Sequence, residues 1–404
     1  RRYTCHNPCP SEDLRTHTPD SRAARDNFPM TDRPRLRYDA AASTSDKLFS
    51  PGLDPMVICI AEDRVSEQVA VKLLITSLAL HCPNVAVHLI YPPASEAFKK
   101  WLGRYKHVTL QTQAIEGASG WNVKPRVLLA ALDGGHDDVW WIDSDVIVNA
   151  DFRRVFGELQ KDAVVATEEA LYGMYRDDGY RAKAWGFEIG RTLPFTLNSS
   201  VLRFTSAHRP LLEAWQHLLE APHYRAAQSA AAGTKPFHLY GDQDVLTALL
   251  ASKQFADVPL NVLRRGKHII QYFGPAGYTL QERIGNLVQP PALLHCQRDK
   301  PWRRAETAPP VRKLKAYVDY LRLEASPYNL AASKHQEETG EAMPWLQTRS
   351  LGGRALRLIG LGSPALTGLP IAALYSVSRL YKKVRKVNDR FDPAAAYATV
   401  AGKP

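Results

Sequence analysis

The segment Val139–Val148, VWWIDSDVIV, constrains this chain more than any other stretch. Apart from Asp143, Ser144 and Asp145 it is wholly apolar, and a strand of that kind needs cover on both faces. The flanking sequence supplies it. MVICI (Met56–Ile60) reads as a buried strand and VAVHLIY (Val85–Tyr91) and His107–Gln111 as further strands, while VAVKLLITSLAL (Val69–Leu80), Glu96–Gly103 and Lys124–Leu132 are read as helices. Further strands are expected at Val164–Thr167, Thr196–Phe204 and Ala292–His295, and helices at Pro210–Leu219 and Asp242–Ala251. Strands alternating with helices predict an α/β fold with a mainly parallel sheet between helical layers.

Within the predicted strand Asp138–Val148, Asp143 and Asp145 stand two residues apart, so both carboxylates face one side. Two unpaired carboxylates at the end of a buried strand repel each other and lose hydration. A divalent cation removes both problems, and hard oxygen donors suit Mg²⁺ or Mn²⁺. The alternative is that one aspartate caps a helix and the other is solvated.

Three more segments carry polar residues at the ends of apolar runs. FTLNSSVLRF places Asn198, Ser199 and Ser200 in a strand, YGDQDVLTALL opens a helix with Asp242-Gln243-Asp244, and LLHCQRDKPW carries His295 and Lys300. Each has a plainer reading: Asp242 as an N-cap, Asn198 bonded to loop backbone, His295 as an ordinary core or surface histidine.

The order of the four motifs resembles the retaining glycosyltransferases of family 8. Those are apolar-Asp-x-Asp-apolar, Asn-Ser-x-Val, Asp-Gln-Asp opening a helix, and His followed by Lys-Pro-Trp, over residues 56–303. The resemblance implies a GT-A-type, Rossmann-like sheet and a UDP-hexose donor whose diphosphate is held by Mn²⁺ (or Mg²⁺). Asp143, Asp145 and His295 match the metal ligands, with Asp143 also near the donor ribose, and Lys300 matches the diphosphate contact. Asp242 and Gln243 match the pair at the reacting centre, and Asn198 and Ser199 the sugar-side loop. Asp63 falls at a uracil contact. Arg126 is the candidate for a donor-sugar or phosphate contact, with Lys124 competing for it. The family's spacing is His-x-x-Gly-x-x-Lys-Pro-Trp, whereas HCQRDKPW is one residue shorter and lacks the glycine. The expected activity is hexosyl transfer, glucose or galactose, with retention, to a glycan or lipid-linked oligosaccharide. A sugar-nucleotide nucleotidyltransferase would normally carry a glycine-rich loop after the first strand, and IAEDRVSEQVA has none. A non-catalytic carbohydrate-binding protein of the same fold is the other alternative. The Tyr-, Trp- and Arg-bearing loop 171–190 is the expected acceptor side.

Composition narrows the remainder. With 404 residues, 45% hydrophobic and 23% charged, the chain is neither disordered throughout, collagenous nor a polytopic membrane protein. Five scattered cysteines form no disulfide framework and point to a reducing, cytoplasmic compartment. Residues 1–50 read as a disordered leader, with Met30 as the natural start, residues 51–310 as the transferase domain, and residues 311–404 as a basic helical extension. The net charge of +11 is concentrated in 349–390, around the uncharged stretch Leu358–Ser378. That placement predicts peripheral contact with the inner face of an anionic membrane through residues 349–390 and argues against a nucleic-acid partner. Helix is expected at Val311–Leu323 and irregular chain at Ser326–Trp345.

Overall fold

A computed structural model describes residues 56–384, except 119, 156–161, 170–178, 231–233 and 364. The expected leader, the proposed start at Met30, residues 171–178 of the expected acceptor loop and residues 385–390 lie outside the described residues.

The strands are β1 (Met56–Ala61), β2 (Ala86–Ile90), β3 (Val108–Gln111), β4 (Asp138–Ile142), β5 (Val146–Val148), β6 (Val164–Glu168), β7 (Leu197–Thr205), β8 (Leu260–Leu263), β9 (Ile269–Gln271) and β10 (Leu293–His295). Seven form one sheet in the order β3-β2-β1-β4-β7-β6-β8, and β5-β10-β9 form a second. In the large sheet only β7 runs against its neighbours, pairing antiparallel with β4 and with β6. Successive β4 residues fill opposite layers, Val139 and Trp141 in one core and Trp140 and Ile142 in the other. That two-sided burial is why the run is apolar without alternation.

The helices that cover the sheet are α1 (Gln68–His81), α2 (Glu96–Leu102), α3 (Val123–Asp133), α4 (Tyr180–Ala184), α5 (Arg209–Glu220), α6 (Pro222–Gln228) and α7 (Asp242–Ala251). The later ones are α8 (Leu280–Gly285), α9 (Leu314–Glu324), α10 (Pro327–Ser333), α11 (Gln336–Thr339), α12 (Leu351–Ile359) and α13 (Leu369–Val384). Two sequence expectations need correction. The strand predicted over Asp138–Val148 is broken: Asp143-Ser144-Asp145 turn the chain out of the large sheet at Ile142 and into the small one at Val146. The turn is closed by the Val146 N–H on the Asp143 carbonyl, 3.1 Å, and the Asp143 N–H still reaches Ser200 of β7, 2.8 Å.

The second correction concerns Ser326–Trp345, which is built from α10, α11 and a short 3₁₀ turn rather than irregular chain. Tyr328, Ala331, Ala332, Met343 and Trp345 close a third core over Ile147, Ile270 and Leu294 of the small sheet. Proline at the start of α10 and of the Pro344 turn marks helix beginnings, where a missing N–H costs nothing. Among the described residues no helix is long and apolar enough to cross a membrane.

If residues 328–345 belong to the fold, Trp345→Ala will lower the unfolding free energy by about 3–5 kcal/mol in a urea titration. A change near zero would detach this segment from the core.

Candidate functional site

β2 lies on one side of β1 and β4 on the other, so the strand order reverses at β1, and a crevice opens beyond the carboxyl ends of β1 and β4. Because β7 is antiparallel, its beginning, Leu197–Ser199, sits at that same end. The start of α7 points there as well. The result is a cleft of about 710 Å³ lined by Asp63, Lys124, Asp143, Asp145, Asn198, Ser199, Asp242, Gln243 and His295, among others. A volume of that size accommodates a ligand larger than a single sugar.

Carboxylate and imidazole donor atoms of Asp143, Asp145 and His295 lie within 4.8 Å of one another. The sheet switch explains the convergence. Asp143 ends β4 and Asp145 precedes β5, while His295 ends β10 opposite Val146, with the Cys296 N–H on the Asp145 carbonyl at 3.1 Å. Ser144, between the aspartates, points away and donates to buried Glu62 at 2.7 Å, tying the turn to the end of β1.

The imidazole is oriented from behind. His295 Nδ1 lies 2.6 Å from the Gln271 amide oxygen, an acceptor, so Nδ1 is assigned the proton. Gln271 in turn donates to the Glu168 carbonyl at 3.1 Å. Nε2 then presents a lone pair 3.4 Å from Asp145 Oδ1. Two acceptors at that distance are stable only with a proton or a cation between them. The donor set therefore fits Mn²⁺ or Mg²⁺, with Gln271 fixing the ligand's tautomer.

Two ammonium groups balance the acids. Lys124 Nζ is 2.9 Å from Asp143 and 3.4 Å from Asp242, and it donates to the Ser199 hydroxyl at 2.8 Å. Lys300 donates to Asp145 and to the Cys296 carbonyl. Burial alone would raise the Asp145 carboxyl, but the charge and hydrogen bond of Lys300, joined by His295 when its ring carries both protons, outweigh it and hold Asp145 well below the usual carboxylate range. Asp143 moves the other way, raised by burial and by the neighbouring Asp145 charge against the pull of Lys124. Trp141 Nε1–H donates to Asp143 Oδ1 at 2.7 Å.

On the other side of Lys124 from Asp143, Gly241 is the N-cap of α7, so the plainer reading of Asp242 as a cap does not hold. Asp242 accepts from the Ser199 hydroxyl at 2.8 Å. Asp244, roughly 200° further round the helix, faces the core, where burial pushes it up to about 6 even with Arg181 at 2.8 Å. Gln243 accepts from Asn198 at 3.0 Å and donates to buried Glu169 at 2.9 Å. Asn198 and Gln297 donate to the same Glu169 carboxylate at 2.6 and 3.0 Å. Asn198 also accepts from the Ser200 N–H at 2.9 Å, so its expected backbone bond and its site position coexist.

Asp63 lies on the cleft's exposed wall. Arg126 is not brought to the cleft, contrary to the expectation for it. Its guanidinium pairs with Glu220 and donates to the Glu116 carbonyl at 2.9 Å, bracing α3 against α5. Residues two apart on a helix face nearly opposite directions, so only one of Lys124 and Arg126 can enter, and it is Lys124. The loop without the family's glycine pays for it in backbone geometry: Arg298, three residues after His295, sits at φ 70 in the left-handed region.

Sequence reasoning missed Gln271, Glu169 and Gln297. The first two share a signal that was present, a polar residue ending an apolar strand (IIQ and VVATEE). Gln297 has none beyond its place beside His295.

No protein-family model matches the sequence, and no curated protein matches it. Among solved structures, the chain is similar to the galactosyltransferase LgtC in complex with donor and acceptor sugar analogs, at 18% identity, TM-score 0.41, over 74% of this chain and 99% of that one. It is similar to the bifunctional glycosyltransferase WbbM at 14% identity and TM-score 0.41, over 71% of this chain and 52% of that one, so it spans about half of WbbM. The glycosyltransferase GlyE of Streptococcus pneumoniae TIGR4 aligns at 16% identity and TM-score 0.37, over 70% of this chain and 63% of that one. At these identities and scores the likeness assigns no activity to the chain.

Replacing Gln271 with alanine frees the His295 ring and is expected to weaken Mn²⁺ binding about 10–100-fold in an EPR titration. Arg298→Gly relieves the left-handed backbone and is expected to stabilise the protein by about 1 kcal/mol, read as a higher melting temperature.

Proposed function

We propose that this protein is a retaining glycosyltransferase that moves glucose or galactose from a UDP-sugar to a glycan or lipid-linked oligosaccharide. The observation that carries the reading is the meeting of Asp143, Asp145 and His295 at the reversal of strand order, with Asp242 and Gln243 across the same cleft. Residues of four motifs distant in sequence line one cleft, which supports the roles that the family resemblance implies for them.

In this reading Asp63 meets the uracil, and Asp143, Asp145 and His295 hold Mn²⁺ (or Mg²⁺). The cation, when bound, stabilises the charge that gathers on the departing diphosphate. Lys300, at Asp145, adds a second positive charge beside the same phosphates. Asn198, Ser199 and Gln243 supply hydrogen-bonding groups for the sugar hydroxyls, held in place by Glu169 and Lys124. Retention can proceed through a covalent intermediate on Asp242 or by attack of the acceptor on the face the phosphate leaves. Asp242 is already engaged by Ser199 at 2.8 Å and faces Lys124 at 3.4 Å, which draws electron density from an attacking oxygen. That arrangement favours the same-face route, with the leaving phosphate taking the acceptor's proton.

Incubation with UDP-glucose or UDP-galactose and Mn²⁺ is expected to release UDP, and Asp145→Ala to cut the rate by about 10²–10³-fold or more. Release that persists in Asp145→Ala, or that ignores removal of divalent cations, defeats the proposal.

A further inference from the structure

Two helices near the C-terminus leave a row of large apolar residues in solvent. α12 buries Gly353 and Gly360 and turns Leu351, Leu358 and Ile359 to solvent, Leu351 at 80% and Leu358 at 77% exposure. Its inner face needs glycine: a Cβ on Gly352 would lie 2.6 Å from the Tyr317 hydroxyl, and one on Gly353 would run into the Glu324 carboxylate. Glu324 also receives the N–H groups of Arg349 and Ser350, at 2.6 and 3.1 Å, which fixes where the helix begins. The outward residues Leu351, Leu358 and Ile359 follow the i, i+7, i+8 spacing of a single helical face. α13 repeats the pattern, burying Ala372 and exposing Leu374, Val377 and Leu380.

Between them stands Leu361, 87% exposed and at φ 52. Glycine would adopt that conformation without steric cost. A large apolar side chain held in strained backbone and in water does nothing for the stability of the isolated molecule. It points to a partner.

Charge identifies the partner. From residue 342 to 388 the chain has no Asp or Glu, and it carries Arg349, Arg354, Arg357, Arg379, Lys382, Lys383, Arg385 and Lys386. Arg354 and Arg357 are exposed on α12 itself. A second copy of the chain would set like charges against one another. An anionic bilayer surface satisfies both halves of the pattern, and helices of 9 and 16 residues lie along it rather than through it.

We propose that α12, Leu361 and α13 form an insertion surface for an anionic lipid bilayer. The leucines, Ile359 and Val377 enter the headgroup–acyl boundary while the flanking arginines meet lipid phosphates. This refines the expected membrane contact of residues 349–390 to a defined face, and it stands whether or not the donor chemistry is as proposed.

The test is co-sedimentation of the full-length chain with vesicles of phosphatidylcholine alone or with about one third phosphatidylglycerol. The expected result is binding to the anionic vesicles at least about tenfold stronger than to the neutral ones, and released by salt. Leu361→Gly relaxes the backbone and so keeps the fold, and with Leu358→Ser it is expected to weaken that binding about tenfold or more. UDP release measured without vesicles reports separately on the catalytic reading and is expected to be unchanged in Leu361→Gly. Equal binding to both vesicle types, no binding at low salt, or binding indifferent to Leu361→Gly would overturn the proposal. So would a concentration-dependent dimer in sedimentation velocity that Leu361→Gly disperses.

Discussion

Two carboxylates forced together at the bottom of a cleft set the conditions that the surrounding structure meets. Asp143 and Asp145 are separated by one residue, and Asp145 is buried. Left alone, one of them would take up a proton. Lys124 comes from α3, while His295 and Lys300 come from the end of β10 and the loop that follows it, so two distant parts of the chain supply the compensating groups. Their combined effect is an Asp145 that stays ionised within an Asp-Asp-His cluster able to hold a divalent cation.

The small sheet exists in the service of that arrangement. Its strand β5 carries the chain on from the acidic turn, and its pairing with β10 puts His295 next to Asp145. Pairing of β10 with β9 puts Gln271 behind the imidazole. The third core, closed by α10 and Trp345, is what keeps these three short strands together. Segments far beyond the four motifs therefore support the Asp143, Asp145 and His295 cluster through packing rather than through direct contact with it.

The C-terminal helices obey a different rule from the rest of the molecule. In α12 the buried positions include Gly353, while Leu351, Leu358 and Ile359 stand in solvent. Exposed leucines in a stretch devoid of acidic residues are what the proposed contact with an anionic bilayer rests on.

Much of the fold and most of the site were legible in the primary structure. Short continuous apolar runs and helical apolar patterns located the strands and helices of the large sheet, because burial on both faces leaves a continuous apolar record. The aspartate pair, Asn198, Asp242, His295 and Lys300 each marked the end of such a run. Position along the chain could not say how the two aspartates meet, since convergence comes from a change of sheet rather than from strand alternation. Nor could it separate Lys124 from Arg126, a choice made by which side of α3 faces the cleft and by Glu220 waiting on the other. Gln271 and Glu169 act through neighbours that only folding supplies. What the sequence determined on its own was which residues had to be buried and which chemistry they carried; tertiary packing decided which of those charges would face one another, because the electrostatic compensation of a buried acid depends on distances of a few ångströms that no linear spacing encodes.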